Sequence, residues 1–240
     1  MNIPPSVSLR ALVTGGTRGI GYAIATRLVR DGMAVTVTGT TPEGQPPPGA
    51  SYLAADFSDR ASVDACVRAI GDDDFAVLVN NAGINRVAPF ADVIEDDFDR
   101  VLEVNLRSVF RLCQAVLPRM RQRGGGRIVN VSSIFGVVSK EYRAAYSASK
   151  FGLTGLTKAL AAEVAAENIL VNCVAPGFID TELTRRVLGA EGIREMASRV
   201  PMQRLGQPDE VAALVSWLAG PENTYVSGQV FVIDGGFTSV

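Results

Sequence analysis

The sequence predicts an α/β protein, a single-domain Rossmann-type doubly wound sheet of about seven parallel strands with helices on both faces. Short β-branched runs alternate with longer helical patterns from one end of the chain to the other. The strand candidates are near-continuous apolar runs, the pattern of strands buried on both faces of a parallel sheet. No linker rich in Ser or Gly divides the 240 residues, and no repeat of ~20–50 residues is visible. One unit over residues 1–240 is therefore expected.

Residues 9–14 are the first strand candidate, followed by a glycine turn and a helix over residues 19–30. Residues 34–38 and 52–55 are the second and third strands. The proline cluster at 42–48 lies between them, where this architecture usually carries a helix. Proline forbids a normal one, so a truncated connection is expected. Residues 58–70 are helical, with Ser58 placed to cap them. Residues 75–79 are the fourth strand. A long helix over 95–121 puts Val101, Leu102, Leu106, Val109, Phe110 and Leu117 on its apolar face. Gly124-Gly125-Gly126 ends it, and 127–131 form the fifth strand. A helix over 143–167 and a sixth strand over 169–174 come next. A polar stretch then runs to about residue 204, with a helix over 208–218 opened by Pro208 and a seventh strand over 229–233.

Composition narrows the chemistry. The chain is 47% hydrophobic and 20% charged, and 23 basic against 25 acidic residues leave a formal charge of -2. No basic block stands out, so neither nucleic acid nor an anionic membrane is an expected partner. Cys66, Cys113 and Cys173 fall in apolar patterns without metal-ligand spacing; they read as reduced core residues, and no metal is expected. Residues 1–10 show no basic-then-apolar signal, and uncharged runs such as 169–179 fall short of the ~20 residues that span a bilayer. A soluble, cytoplasmic protein is the expectation. Histidine is absent. That excludes Ser-His-Asp and Cys-His catalysis and argues against a zinc hydrolase. Acid–base work must fall to Tyr, Lys, Asp, Glu or Cys.

Thr14-Gly15-Gly16-Thr17-Arg18-Gly19-Ile20-Gly21 comes directly after a strand and opens a helix. In that context glycines permit a tight turn and close approach of backbone amides to a pyrophosphate, with the positive helix end facing the anion. NAD binders usually place a carboxylate at the end of the second strand for the adenosine ribose. Here that place is Thr38-Gly39-Thr40-Thr41, with no acid before Glu43. Arg18, Thr40 and Thr41 suit the extra 2′-phosphate of NADP, so NADP is preferred over NAD; a solvated loop role for Arg18 is the alternative. Asp56-Phe57, after the third strand, offers a carboxylate to the adenine amine with an aromatic ring beside it, or a plain acid ahead of a helix. Asn80-Asn81-Ala82-Gly83 lies at the carboxyl edge of the fourth strand, where it serves the adenosine ribose or forms a simple turn.

Tyr146-Ser147-Ala148-Ser149-Lys150 opens a strongly helical segment. Residues four apart share a helix face, so the Tyr146 hydroxyl and Lys150 ammonium are expected side by side. A cation there favours phenolate and lowers a pKa that is otherwise about 10. The competing reading is an ordinary helix face.

These elements, with Asn105, Ser133 and Pro176-Gly177, occur in an order that resembles the short-chain dehydrogenase/reductase family over nearly the whole chain. Within it the chain is similar to the 3-oxoacyl-(acyl carrier protein) reductase branch, on Asn81-Ala82-Gly83-Ile84-Asn85-Arg86, Ala175-Pro176-Gly177-Phe178-Ile179 and Asp234-Gly235-Gly236. The resemblance implies that Ser133, thirteen positions before the tyrosine, is the catalytic serine rather than Ser132. It would hydrogen-bond a substrate carbonyl oxygen that Tyr146 protonates as hydride arrives at the carbon. Lys150 is implied to bind the nicotinamide ribose as well. Asn105 is expected to hold a water linking Lys150 to solvent, a role in keeping with the cost of a mid-helix amide in apolar surroundings. Ile179 and Thr181 are expected at the nicotinamide carboxamide.

The resemblance also implies a homotetramer, with the long helix and the helix from Tyr146 pairing across one interface. Residues 182–204 are the expected substrate lid, with Leu183, Val187 and Leu188 lining a pocket or packing the lid down. Two features depart from the branch, and the missing helix around residues 42–48 is the first. Glu167-Asn168-Ile169 stands where an arginine commonly docks an acidic carrier protein, and Glu167 would repel one. Arg119, Arg121 and Arg123 either compensate or form a solvated helix end. The leading reading is thus an NADPH-dependent reductase of a 3-oxoacyl thioester or similar small ketone, with the carrier protein undecided. A sugar or small secondary-alcohol dehydrogenase, and a catalytically silent nucleotide-binding protein, are the alternatives.

Overall fold

The computed structural model describes residues 8–240, so most of the 1–10 stretch lies outside the described residues. Seven parallel strands form one sheet: β1 (Arg10–Val13), β2 (Ala34–Gly39), β3 (Ser51–Ala54), β4 (Phe75–Asn80), β5 (Gly126–Val131), β6 (Ile169–Pro176) and β7 (Val230–Ile233). Their order is β3-β2-β1-β4-β5-β6-β7. From β1 the chain steps outward to β3, then returns to β4 on the other side of β1. The resulting crevice lies at the carboxyl ends of β1 and β4, where open α/β sheets bind ligands.

Alternation along each strand divides the core between two faces. Val13 and Val79 face a layer with Ile24 and Leu28 of α1 (Gly19–Arg30) and Val211 and Val215 of α7 (Pro208–Ala219). Leu12 and Leu78 face the opposite layer. It is built from α2 (Arg60–Gly71), α4 (Ser108–Arg123) and α5 (Ala144–Val164). The remaining helices are α3 (Glu95–Leu102) and α6 (Glu182–Ser198). No helix replaces the proline cluster between β2 and β3. Among the described residues, no helix is long and apolar enough to cross a membrane.

Several local expectations are corrected. Asp59, not Ser58, caps α2 by accepting from the Ala61 amide at 3.1 Å. Ser58 instead donates its amide and hydroxyl to Asp56 Oδ1. The long helix is interrupted by a π-helical turn, Glu103–Arg107, which adds a residue between α3 and α4. Phe110 lies outside the apolar face and is 45% exposed, since Val109, Leu112, Cys113 and Val116 take the buried side of α4. The polar stretch after β6 is helical to Ser198, kinked where Gly189 takes φ 63°.

Candidate active site

The glycine turn is held from both neighbouring strands. Gly15 and Gly19 adopt φ of 63° and 55°, values that L side chains rarely reach. The Gly15 amide donates to Thr38 Oγ1 at 3.1 Å, and the Gly16 amide to the Thr38 carbonyl at 3.0 Å. A Cβ on Gly16 would lie 2.6 Å from the Val37 side chain, and one on Gly21 would collide with the Gly15 carbonyl and Asn81 Nδ2. Thr17 packs against Gly39, and Ile20 against the core layer of α1 and α7. The turn therefore presents backbone, with α1 beginning at Gly19. A dinucleotide pyrophosphate fits such a cradle.

Asn81, Ala82 and Gly83 close the cradle from β4. Asn81 Nδ2 donates to the Thr14 and Gly15 carbonyls at 2.9 and 3.1 Å. The Asn81 and Ala82 amides donate to Thr14 Oγ1 at 2.9 and 3.0 Å. Thr14 opens the motif seen in the sequence, but its bracing role is not legible there, because it depends on β4 lying beside β1. Arg18, Thr40 and Thr41 are exposed at the adjoining end of β2. Thr41 Oγ1 donates to the Glu43 carbonyl. Asp56 Oδ1 accepts from Ser58, and Phe57, at 4% exposure, packs into the core layer of α2 and α4. The expectation of Phe57 beside an adenine is corrected. The ring follows the apolar face because burying it there removes more surface from water.

On the other side, Pro176 ends β6 and Gly177 donates to the Ile233 carbonyl at 2.9 Å. Ile179 is buried and pairs with Gly206 in a parallel bridge. Thr181 caps α6 by accepting from the Thr184 amide at 3.2 Å, and its methyl group faces Gly19 across the cradle. Leu183 is 56% exposed, and Leu188 packs on Gly192 of its own helix; the Val187 side chain lies outside the described residues. A cleft of about 470 Å³ lies farther out, lined by Val87, Ala88, Ile94, Tyr142 and Ala145.

Ser133, Tyr146 and Lys150 converge as the sequence suggests, with a different electrostatic balance. Tyr146 is half-buried, and its ring meets Phe135 edge-on at 6.4 Å. Burial pushes the Tyr146 hydroxyl above the ordinary tyrosine range; the Ser133 hydroxyl and the Arg143 guanidinium oppose that. Lys150 Nζ is 5.6 Å from the Tyr146 ring centroid and donates to the Val131 carbonyl at 2.9 Å. The two side chains do lie side by side, but the expected lowering of the tyrosine pKa is corrected: the ammonium is turned to β5, and desolvation outweighs Ser133 and Arg143. Burial lowers the Lys150 pKa to about 8, partly offset by the Cys173 thiol nearby. Ser132 is not free, since its hydroxyl donates to the Lys150 carbonyl at 3.2 Å.

Asn105 stands in the π-helical turn at 1% exposure. Its Oδ1 accepts from the Ile84 amide at 2.8 Å, and its Nδ2 donates to the Ile84 carbonyl and to Ser149 Oγ. The side chain clamps the loop after β4 rather than pointing at solvent. Both Nδ2 protons are used, so any water it held would have to be an Oδ1 donor.

A family model described as Enoyl-(Acyl carrier protein) reductase matches residues 15–238. The 3-oxoacyl-(acyl-carrier-protein) reductase FabG of Thermotoga maritima is 41% identical over 240 residues, covering 94% of this chain and 96% of that protein. The protein of the same name from Vibrio cholerae is 39% identical over 234 residues, with 94% and 96% covered. A gluconate 5-dehydrogenase from Burkholderia cenocepacia, solved in complex with NADP and tartrate, superposes with a TM-score of 0.88. Its identity is 33%, over 98% of this chain and 97% of that one.

The Lys150 shift makes a stability prediction. Between about pH 8 and 10.5 the unfolded chain binds more protons than the folded one, so the residue costs stability below pH 8 and that cost fades as pH rises to 10.5. Lys150→Met should gain on the order of 1–2 kcal/mol near pH 7 after losing the bond to Val131, and the gain should shrink near pH 10. Urea unfolding at both pH values checks it; an unchanged difference refutes the assignment.

Proposed function

The chain belongs to the short-chain dehydrogenase/reductase family, and from that premise we propose that it reduces 3-oxoacyl thioesters or closely similar ketones with NADPH. It is an NADP(H)-dependent oxidoreductase working between a ketone and a secondary alcohol. One observation carries the proposal: Ser133 and Tyr146 stand together beside a backbone cradle that fits a dinucleotide. The family model's description names enoyl reduction, but two hydroxyls placed to meet one oxygen favour a carbonyl.

NADPH, when bound, supplies the hydride. Gly15, Thr17, Arg18, Gly19, Ile20 and Gly21 would hold its pyrophosphate side, and Arg18, Thr40 and Thr41 its 2′-phosphate. Asp56, Asn81, Ala82 and Gly83 would serve the adenosine, and Pro176, Gly177, Ile179 and Thr181 the nicotinamide. Ser133 would hydrogen-bond the substrate carbonyl, and Tyr146 would give its proton to that oxygen. Burial keeps the phenol protonated at neutral pH, and the Ser133 hydroxyl and Arg143 guanidinium, which oppose the rise, favour release of its proton. Lys150, titrating near 8, is suited to resupply that proton.

A second reading, dehydrogenation of a sugar acid or other small secondary alcohol, is favoured by the charge pattern. Arg121 pairs with Glu167 at 2.6 Å and Arg123 pairs with Asp74, while Arg119 bonds Gln122, which leaves a largely neutralised helix end where an acidic carrier protein would dock. We also propose a homotetramer, supported by Phe110 on α4 and Phe151 on α5, each 45% exposed.

Tyr146→Phe should bind NADPH as the parent does while losing roughly 10²–10⁴-fold in kcat; near-normal turnover would remove Tyr146 from the chemistry. A panel of acetoacetyl-CoA, acyl-carrier thioesters and sugar ketones, run with NADPH and NADH, should show acetoacetyl-CoA reduced with NADPH. A preference for sugar substrates would replace the thioester reading, and a preference for NADH would overturn the 2′-phosphate site. Light scattering should give about four times the chain mass of 25.4 kDa, and a monomer would contradict the assembly.

A further inference from the structure

The stretch Tyr146-Ser147-Ala148-Ser149-Lys150 lends only its end residues to the chemistry above, although both serines are buried, Ser147 at 7% and Ser149 at 0% exposure. A serine inside a helix commonly back-bonds to the preceding turn and weakens it. Ser149 Oγ does donate to the Tyr146 carbonyl, at 2.7 Å. It also accepts from Asn105 Nδ2 at 3.0 Å, and Asn105 holds both backbone groups of Ile84. A continuous polar line thus joins the Tyr146 backbone, the π-helical turn and the loop after β4.

The first turn of α5 needs such a tie. Arg143 at the N-cap position makes no side-chain hydrogen bond, and the turn carries no acid to meet the helix dipole. Tyr146 lies in that turn. Lateral bonds take the place of the missing cap: Ser147 Oγ meets Ser139 Oγ at 2.9 Å, and Ser149 meets Asn105. Of these, the Ser149 bond acts on the Tyr146 carbonyl itself.

We propose that Ser149 is a positioning residue: with Asn105 it fixes the Tyr146 backbone against the cofactor-side loop, so that the tyrosine hydroxyl is aimed at the substrate carbonyl. The inference rests on the reading of Tyr146 as proton donor. Thr157 supplies a matched control on the same helix. Its Oγ1 donates to the Leu153 carbonyl and accepts from Asn130 Nδ2, each at 2.8 Å, well along α5 from the tyrosine.

Ser149→Ala, Ser149→Cys and Thr157→Val, made in the full chain, are compared for kcat, KM, melting temperature and NADPH affinity by fluorescence titration. The ketone is the one on which the parent is most active. Ser149→Ala should lower kcat roughly 10- to 100-fold with NADPH affinity within about threefold, and Ser149→Cys should fall between it and the parent. Thr157→Val should lose comparable thermal stability yet keep kcat within about twofold. The inference is overturned by a Ser149→Ala kcat no lower than that of Thr157→Val, or by a kcat loss matched by lost NADPH affinity. If Ser149→Ala does not fold, Ser149→Cys decides by the same comparison. An inactive parent, or an active Tyr146→Phe, refutes the proton-donor reading and this inference with it; an active parent with Ser149→Ala equally active refutes the inference alone.

Discussion

Thr14 and Asn81 cross-brace the carboxyl ends of β1 and β4, the point where the path of the chain over the sheet reverses. Strand ends in a parallel sheet run out of ladder partners while still beside an apolar interior, and unpaired backbone groups there are costly. One hydroxyl takes two amides, and one carboxamide gives to two carbonyls. With those groups satisfied, the glycine turn can adopt a backbone path that leaves the amides beyond Gly16 for an anion. The crevice is a consequence of topology, and its chemistry is a consequence of this brace.

Across the crevice, α5 is tied to the sheet by polar as well as apolar contacts. Lys150 reaches the Val131 carbonyl, Ser132 reaches the Lys150 carbonyl, and Asn130 reaches Thr157. Asn80 extends the line from β4 through Asn130 Oδ1 at 2.8 Å, while its own Oδ1 has no partner among the described residues. Buried polar networks of this kind fix one arrangement of helix against strand at some cost in stability. The cost is visible in the lysine, whose charge is disfavoured by burial at the place where a titrating group is useful.

The outer surface is governed by a different balance. Two of the arginines near the end of α4 are taken up by neighbouring carboxylates, Arg121 by Glu167 and Arg123 by Asp74, and Arg119 bonds Gln122. Exposed pairs add little stability. They do cancel the field that a run of arginines would project, and so weaken steering of an acidic partner.

Much was legible in the sequence because it depends on local period and residue type. The order of strands and helices, the glycine turn, the helical spacing of Tyr146 and Lys150, and the lack of histidine needed no tertiary information. Burial direction and partner choice did. The Phe57 ring points into the core, Asn105 sits in a π-helical turn facing Ile84 and Ser149, and Lys150 turns to β5. Each involves residues far apart in the chain, brought together only when the sheet orders β4 beside β1 and β5. The chain alone determined that a tyrosine and a lysine share a helix face; the assembled fold decided that desolvation, not the lysine, dominates the tyrosine, because dielectric surroundings exist only once the neighbours are packed.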